Sequence, residues 1–216
     1  MIVGFFGVPR VGKNTMLTMI AQRELKRMKK GRSKYKHVYS DFYCDGCEKF
    51  DYKYFRTHKM YDSLILIDEM GLEADNRNFK RFTNEERDFF VLHGHLHNDI
   101  IYATQDYSKV DSKIRALTEE LWYLSKSCVP VIRNFTFARR IFRNISINDM
   151  TSELVMGYRF ANVLEYLFSR CTMVCFRPLY YSKFDSHEEA ELAPRPILCT
   201  DLWNKKESSD ILSLIA

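Results

Sequence analysis

Lys13 closes a loop whose residue types suit one kind of chemistry. The run Gly7-Val8-Pro9-Arg10-Val11-Gly12-Lys13-Asn14-Thr15 has a glycine near each end and the lysine directly after the second. Such a backbone can curl closely around an anion, so that its N–H groups and the positive end of a following helix converge on phosphate. Lys13 then adds a point charge for the β- and γ-phosphates of a nucleotide. Position 14, where loops of this kind carry a Ser or Thr hydroxyl for Mg²⁺, is Asn14. Its carbonyl oxygen lies one atom further out, and half of its head is an NH₂ donor that repels a cation. Asn14 is therefore expected to hold Mg²⁺ weakly, directly or through a metal-bound water. Thr15 is a poorer substitute because adjacent helical positions point about 100° apart.

Three further polar residues fall at the ends of apolar runs. Leu64-Ile65-Leu66-Ile67 leads into Asp68-Glu69, and Ile100-Ile101-Tyr102-Ala103-Thr104 leads into Gln105. In phosphoryl transfer, catalysis is mostly positioning and charge stabilisation. Asp68 is expected to hold Mg²⁺ directly or through water, and Glu69 to polarise an attacking water as general base. Gln105 is expected to hydrogen-bond the γ-phosphate or that water. Glu69, Lys13 and Gln105 are thus the candidate catalytic residues, and residues 7 to 15 the candidate nucleotide loop.

Positioning these groups needs strands that end together. Residues 1–6 read as an apolar strand feeding the loop, and residues 15–30 as the helix after it. The runs 64–67 and 100–104 are apolar on both faces, as strands in the middle of a parallel sheet covered by helices are. In a doubly wound sheet, ligands bind at the carboxyl ends of the strands, so all three tips would face one crevice. Residues 37–40 read as a short strand and 41–61 as irregular. Residues 84–97 read as a helix capped by Thr83 or Asn84, and 111–116 as a short helix. Beyond residue 119 the pattern turns to β, with segments at 121–125, 131–143 and 173–181. Residues 153–170 read as mixed and partly helical. The stretch from 186 to 216, with its acids and prolines, reads as a loosely attached tail.

Composition sets outer limits. A chain of 216 residues with 46% hydrophobic and 14% aromatic content can bury one substantial α/β core, which excludes global disorder. The net charge of +5 is uneven. Arg23, Lys26, Arg27, Lys29, Lys30, Arg32, Lys34 and Lys36 face a single acid, Glu24. That cluster suits nucleic acid or acidic lipid headgroups, and equally the negative end of a helix. Six cysteines at irregular spacing and no leader-like segment suggest reduced thiols. Cys44-Asp45-Gly46-Cys47 is half of a zinc ligand set and reads better as a turn carrying two thiols. The strongest membrane-span candidate, 154–176, is interrupted by Arg159, Glu165 and Arg170, so no transmembrane helix is expected.

The runs Ile65-Leu66-Ile67-Asp68-Glu69, Phe89-Phe90-Val91-Leu92-His93-Gly94-His95, Asp99-Ile100-Ile101 and Thr104-Gln105, with a closing Tyr180-Tyr181-Ser182-Lys183-Phe184-Asp185, resemble the zonular occludens toxin (Zot) domain. That family is typified by filamentous phage morphogenesis ATPases of the FtsK–HerA-like branch. The resemblance implies a RecA-like (ASCE) P-loop NTPase domain over residues 1–185, with a parallel sheet flanked by helices and a β-rich C-terminal part. It implies ATP and Mg²⁺ as ligands and ATP-driven virion assembly, extrusion or DNA translocation. The implied partners are further copies of the chain, with a hexameric ring among the forms of its relatives, together with phage DNA or a DNA–protein complex and a membrane-embedded assembly component. The implied place is the host cytoplasm, at the cytoplasmic face of the inner membrane.

Two departures stand out. Family members carry an Arg where this chain has Gly94, and many continue into a membrane-spanning helix. His93 and His97, one helical turn apart, would have metal-compatible spacing, although a structural or phosphate-proximal role fits the family pattern better. Arg115, Arg139 and Arg140 are candidates for an arginine acting on a neighbouring subunit. Two other functions stay open: a nucleotide-gated interaction module with little hydrolysis, and a small nucleotide kinase, against which the absence of an Arg-rich lid counts.

Overall fold

A computed structural model of the chain describes residues 1–50, 60–70, 84–126, 132–147, 154–162, 165 and 171–184. Strand β1 (Ile2–Phe6) runs into the glycine loop and helix α1 (Lys13–Lys29). Strands β2 (His37–Ser40), β3 (Glu48–Lys49) and β4 (Ser63–Ile67) follow. Helix α2 (Asn84–Leu92), strand β5 (Asp99–Thr104) and helix α3 (Ser112–Leu117) lead to β6 (Glu120–Lys126). The chain then makes β7 (Phe135–Ile147), β8 (Leu154–Phe160) and β9 (Thr172–Phe176).

Among the described residues these strands form one sheet in the order β3-β2-β4-β5-β1-β6-β7-β8, with β9 also on β7. Every pairing from β3 to β6 is parallel. From β6 to β7 and beyond it is antiparallel. The long β7 uses one edge twice, taking β9 along its first five residues and β8 along its last seven. The fold is therefore α/β with a parallel centre and a β-rich C-terminal extension.

Alternation along the strands divides the core in two, as a pleat with period two requires. Val3, Phe5, Leu64, Leu66, Ile101 and Ala103 turn to α1 and pack with Met16, Leu17 and Ala21. Ile2, Ile65, Ile67, Ile100 and Tyr102 turn to the other face and pack with Phe89, Phe90 and Ile114. Each apolar strand of the parallel centre is thus buried twice over, which is why its sequence shows no polar face. Asp111 caps α3, its carboxylate accepting from the Lys113 N–H at 2.8 Å.

Several expectations need correction. Helix α2 stops at Leu92, and residues 93–97 form turns in which His97 takes φ 54°. His93 and His97 therefore do not share a helical face. Residues 154–160, expected to be partly helical, are strand β8, because pairing with β7 overrides a weak local preference. Strand β9 ends at Phe176 and a 3₁₀ turn, Arg177–Leu179, takes over where Pro178 can no longer donate to the ladder. Two residues of the stretch read as irregular form β3 against β2. Thr83 and the tail from 186 to 216 lie outside the described residues. No helix among the described residues is long and apolar enough to cross a membrane.

Candidate functional site

The parallel register brings the sequence-predicted residues to one edge of the sheet. Phe6 pairs with Thr104 on one side and Tyr123 on the other, and Ile67 pairs with Tyr102. The glycine loop, Asp68-Glu69 and Gln105 therefore leave three neighbouring strands at the same end, with β5 between β1 and β4.

Gly12 caps α1 in the left-handed region, at φ 98°, and its carbonyl accepts the Met16 N–H at 3.0 Å. At Gly7 the constraint is space, since a Cβ there would stand 2.8 Å from the Leu124 carbonyl oxygen. Both glycines are thus required by backbone geometry rather than by composition. Arg10 also has a left-handed φ, 60°. The Thr136 hydroxyl of β7 donates to the Val11 carbonyl at 2.7 Å and ties the loop to the extension.

Lys13 is only 6% exposed. Its Nζ donates to the Gly7 carbonyl at 3.3 Å and stands 3.9 Å from Glu69 Oε1. The ammonium folds back because its own loop supplies the nearest acceptors. Gln105 Nε2 donates to the same Glu69 oxygen at 2.8 Å. One carboxylate thus joins the loop lysine to the tip of β5. Glu69 does this from φ 54°, a conformation that costs a non-glycine residue roughly 1–3 kcal/mol. Its backbone is held there while its carboxylate remains partly open to solvent, at 30%.

Asp68 sits deeper. Burial pushes its carboxyl up to about 7, the Glu69 charge adds to this, and Lys13 and a hydrogen bond from Asn14 oppose it. Its Oδ1 is buried without a hydrogen-bond partner. An orphaned carboxylate oxygen beside an amide head is the donor chemistry a small hard cation takes, so Asp68 and Asn14 fit Mg²⁺. The Asp68 N–H is shared between both oxygens of Asp41 at 2.9 Å each, and the Asp41 N–H donates to the Leu66 carbonyl at 3.2 Å.

Sequence reading missed Asp41, Thr136 and Arg177. Asp41 had a signal, since it follows β2 and stands at the same carboxyl-end edge as the others. Arg177 had none: its Cδ would be 3.0 Å from a Cβ on Gly12, across 165 residues of chain.

Other expected residues lie elsewhere. Cys44 and Cys47 are buried free thiols in a turn where Gly46 takes φ 79°. No cluster of three or more metal-ligating side chains occurs among the described residues. Arg140 pairs with Glu120 at 3.0 Å and Arg115 lies over Tyr107. Arg139 stacks over Phe160, 4.9 Å from the ring centre. In the basic run, Arg27, Lys34 and Lys36 are taken up by Glu24, Asp99 and Asp62. At Gly94 a side chain would meet open space.

A family model described as Zonular occludens toxin (Zot) matches residues 8–156, which is more than half of the chain. Among solved structures, the N-terminal domain of zonular occludens toxin from Neisseria meningitidis is similar at 15% identity. That match covers 76% of this chain and 96% of that one, with a TM-score of 0.48. The genome packaging NTPase of Sulfolobus turreted icosahedral virus 2, solved with ATP-gammaS, is similar at 11% identity over 72% of this chain and 95% of that one, TM-score 0.47. Flagellar accessory protein FlaH from Methanocaldococcus jannaschii is similar at 11% identity over 75% and 89%, TM-score 0.44. No curated protein matches the chain.

Proposed function

The chain belongs to the zonular occludens toxin family, and from that premise we propose that it is a P-loop motor that binds and hydrolyses ATP. The observation that carries this reading is the Glu69 carboxylate, held at once by Gln105 at 2.8 Å and facing Lys13 at 3.9 Å. A strand-tip carboxylate oriented by an amide and set beside the phosphate-binding lysine suits a general base that activates water. The loop from Gly7 to Thr15 offers its N–H groups to the phosphates. On nucleotide entry Lys13 exchanges the Gly7 carbonyl for the β- and γ-phosphates. Gln105 keeps Glu69 turned toward the water and senses the γ-phosphate. Asp68 and Asn14 would hold Mg²⁺, which when bound neutralises charge on the β- and γ-phosphates.

We read the motor's work as assembly and extrusion of a filamentous-type virion or translocation of its DNA. Its partners would be further copies of this chain in a ring, a DNA or DNA–protein substrate, and a membrane-embedded component at the cytoplasmic face of the inner membrane. The family supports this assignment.

One observation favours a second reading, a nucleotide-gated module with little turnover. The Asn14 side chain already acts on the Asp68 carboxyl, lowering its pKa against the effect of burial, so the metal-holding carboxylate is partly engaged before any metal arrives.

Steady-state hydrolysis and nucleotide binding, measured on the full chain with light scattering, test the proposal. Lys13→Ala should abolish ATP binding. Glu69→Gln should keep binding, lower turnover by about 10²–10⁴-fold, and accumulate an ATP-bound assembly. Wild-type turnover in both variants would end the motor reading. Tight binding with negligible turnover in the native chain would select the gated module.

A further inference from the structure

We propose that Arg10, Lys126, Arg133 and Arg177 form a cationic rim beside the P-loop that binds the polyphosphate of the nucleotide seated there. The rim rests on the nucleotide reading of the loop and extends it: the antiparallel extension supplies phosphate contacts from within the same chain.

Arg177 is the centre of the rim. It leaves β9 at the start of the 3₁₀ turn, with its N–H donating to the Asn134 carbonyl at 3.0 Å. Its aliphatic stem lies against the P-loop, Cδ standing 3.0 Å from where a Cβ on Gly12 would be. One guanidinium nitrogen donates to the Arg133 carbonyl at 2.8 Å. The Nε is buried and has no partner. A buried unpaired donor is unfavourable, so a fold that keeps one beside an anion-binding loop leaves an acceptor to be supplied. A guanidinium also matches phosphate oxygens with two parallel N–H groups.

The company Arg177 keeps is of one sign. Lys126 ends β6, the strand paired with β1. Burial lowers its pKa first, and Arg177, Arg133 and Arg10 then lower it further. None of the four cations forms an ion pair with a carboxylate among the described residues. Several cations elsewhere are matched, Arg27 with Glu24, Lys34 with Asp99, Arg140 with Glu120 and Arg159 with Glu165; what sets the rim apart is that its four unpaired cations adjoin one anion-binding loop. Four like charges gathered around one loop repel, and the cost is offset by an anion carrying several charges on adjacent groups. A nucleoside triphosphate on the P-loop is such an anion. Lys13 alone meets Glu69 and the Gly7 carbonyl, so its charge is already shared.

The test compares binding of Mg²⁺-ATP, ADP, AMP and a 20-nucleotide single-stranded oligothymidylate to the full chain. The variants are Lys13→Ala, Arg177→Ala, Arg177→Lys and Lys126→Gln, each checked by thermal melting. Arg177→Ala should weaken ATP binding about tenfold or more, the loss expected for a charge-assisted hydrogen bond. Lys126→Gln should weaken it by a smaller factor, roughly threefold, because its side chain contributes charge from a largely exposed position at the end of β6. Arg177→Lys should recover part of the loss. In each variant the effect should shrink from ATP to AMP while oligothymidylate binding stays unchanged. ATP binding at the wild-type level in both Arg177→Ala and Lys126→Gln, with binding lost in Lys13→Ala, overturns the rim and spares the P-loop. Weakened binding of the oligothymidylate alone also overturns it and gives these cations to nucleic acid. A loss confined to Arg177→Ala and accompanied by a lowered melting temperature reduces Arg177 to a packing residue and overturns the rim. If the native chain binds no ATP, or Lys13→Ala binds it unchanged, the nucleotide reading falls and the rim falls with it.

Discussion

The parallel centre and the antiparallel extension belong to one sheet and solve different problems. In β4 and β5 every residue is buried, and both faces are covered by helices. In β9 only Cys175 of five residues is buried, and Val174 and Phe176 are open to solvent. The centre holds itself together by apolar burial and presents chemistry only at its strand tips. The extension buries little and reaches sideways, sending the Thr136 hydroxyl and the Arg177 side chain to the glycine loop. Stability is concentrated in one half, and adjustment of the loop in the other.

If that division holds, equivalent truncations should differ sharply. Leu66→Ala, in a fully buried strand, should destabilise the protein by about 2–5 kcal/mol. Val174→Ala, on the exposed side of β9, should stay within about 0.5 kcal/mol. Chemical unfolding measures both, and similar losses would erase the contrast.

The second expectation concerns pH and belongs to the centre alone. The Asp68 carboxyl is pushed up to about 7 by burial, against about 3.9 in an unfolded chain. The folded state therefore holds a proton that the unfolded state gives up between those values. This contribution to stability is present at low pH and lost as pH rises toward 7. Without Mg²⁺, melting temperatures corrected for the rest of the protein should fall across that window, and Asp68→Asn should flatten the trend. Mg²⁺ affinity should run the opposite way, weakening up to about tenfold per unit as pH drops below 7. A Mg²⁺ affinity independent of pH from 5 to 8 would remove Asp68 from the site.

The smallest effect lies in the extension. Thr136→Val keeps the volume and loses the hydrogen bond to Val11, so stability should fall by about 1 kcal/mol. ATP affinity should fall by more than that stability loss accounts for, because the loop loses its tether. An unchanged affinity would make the extension a bystander.

The centre was also the legible half. Leu64-Ile65-Leu66-Ile67 and Ile100-Ile101 announce strands buried on both faces because no polar residue interrupts them, and Gly7, Gly12 and Lys13 announce a phosphate loop by spacing. The glycine pair, Asp68-Glu69 and Gln105 could be assembled from one rule about strand ends. Asp41 was hidden because a lone acid after a four-residue strand looks like any polar turn. Strand β8 was hidden because Arg159 and nearby apolar residues fit helix and strand equally, and only its register with β7 decides. Arg177 was hidden most deeply, since its position depends on β9 pairing with β7. The burial of Lys13 could not be read either, because it depends on the Gly7 carbonyl and Glu69 being nearer than water.

Strand β1 carries one further consequence, in time rather than in space. Ile2 pairs with Ile100 and Val3 with Glu120, so β1 is hydrogen-bonded on both edges by strands made about a hundred residues later. At a synthesis rate of about 5–20 residues per second, Ile2–Phe6 waits on the order of 5–25 seconds for its neighbours. The loop between the partners must close before either ladder forms, which slows folding. During that interval an apolar five-residue segment with two exposed edges is free to pair with another nascent chain. Yield on fast expression is therefore governed by the same strand that aims the glycine loop, and slower translation should favour soluble protein.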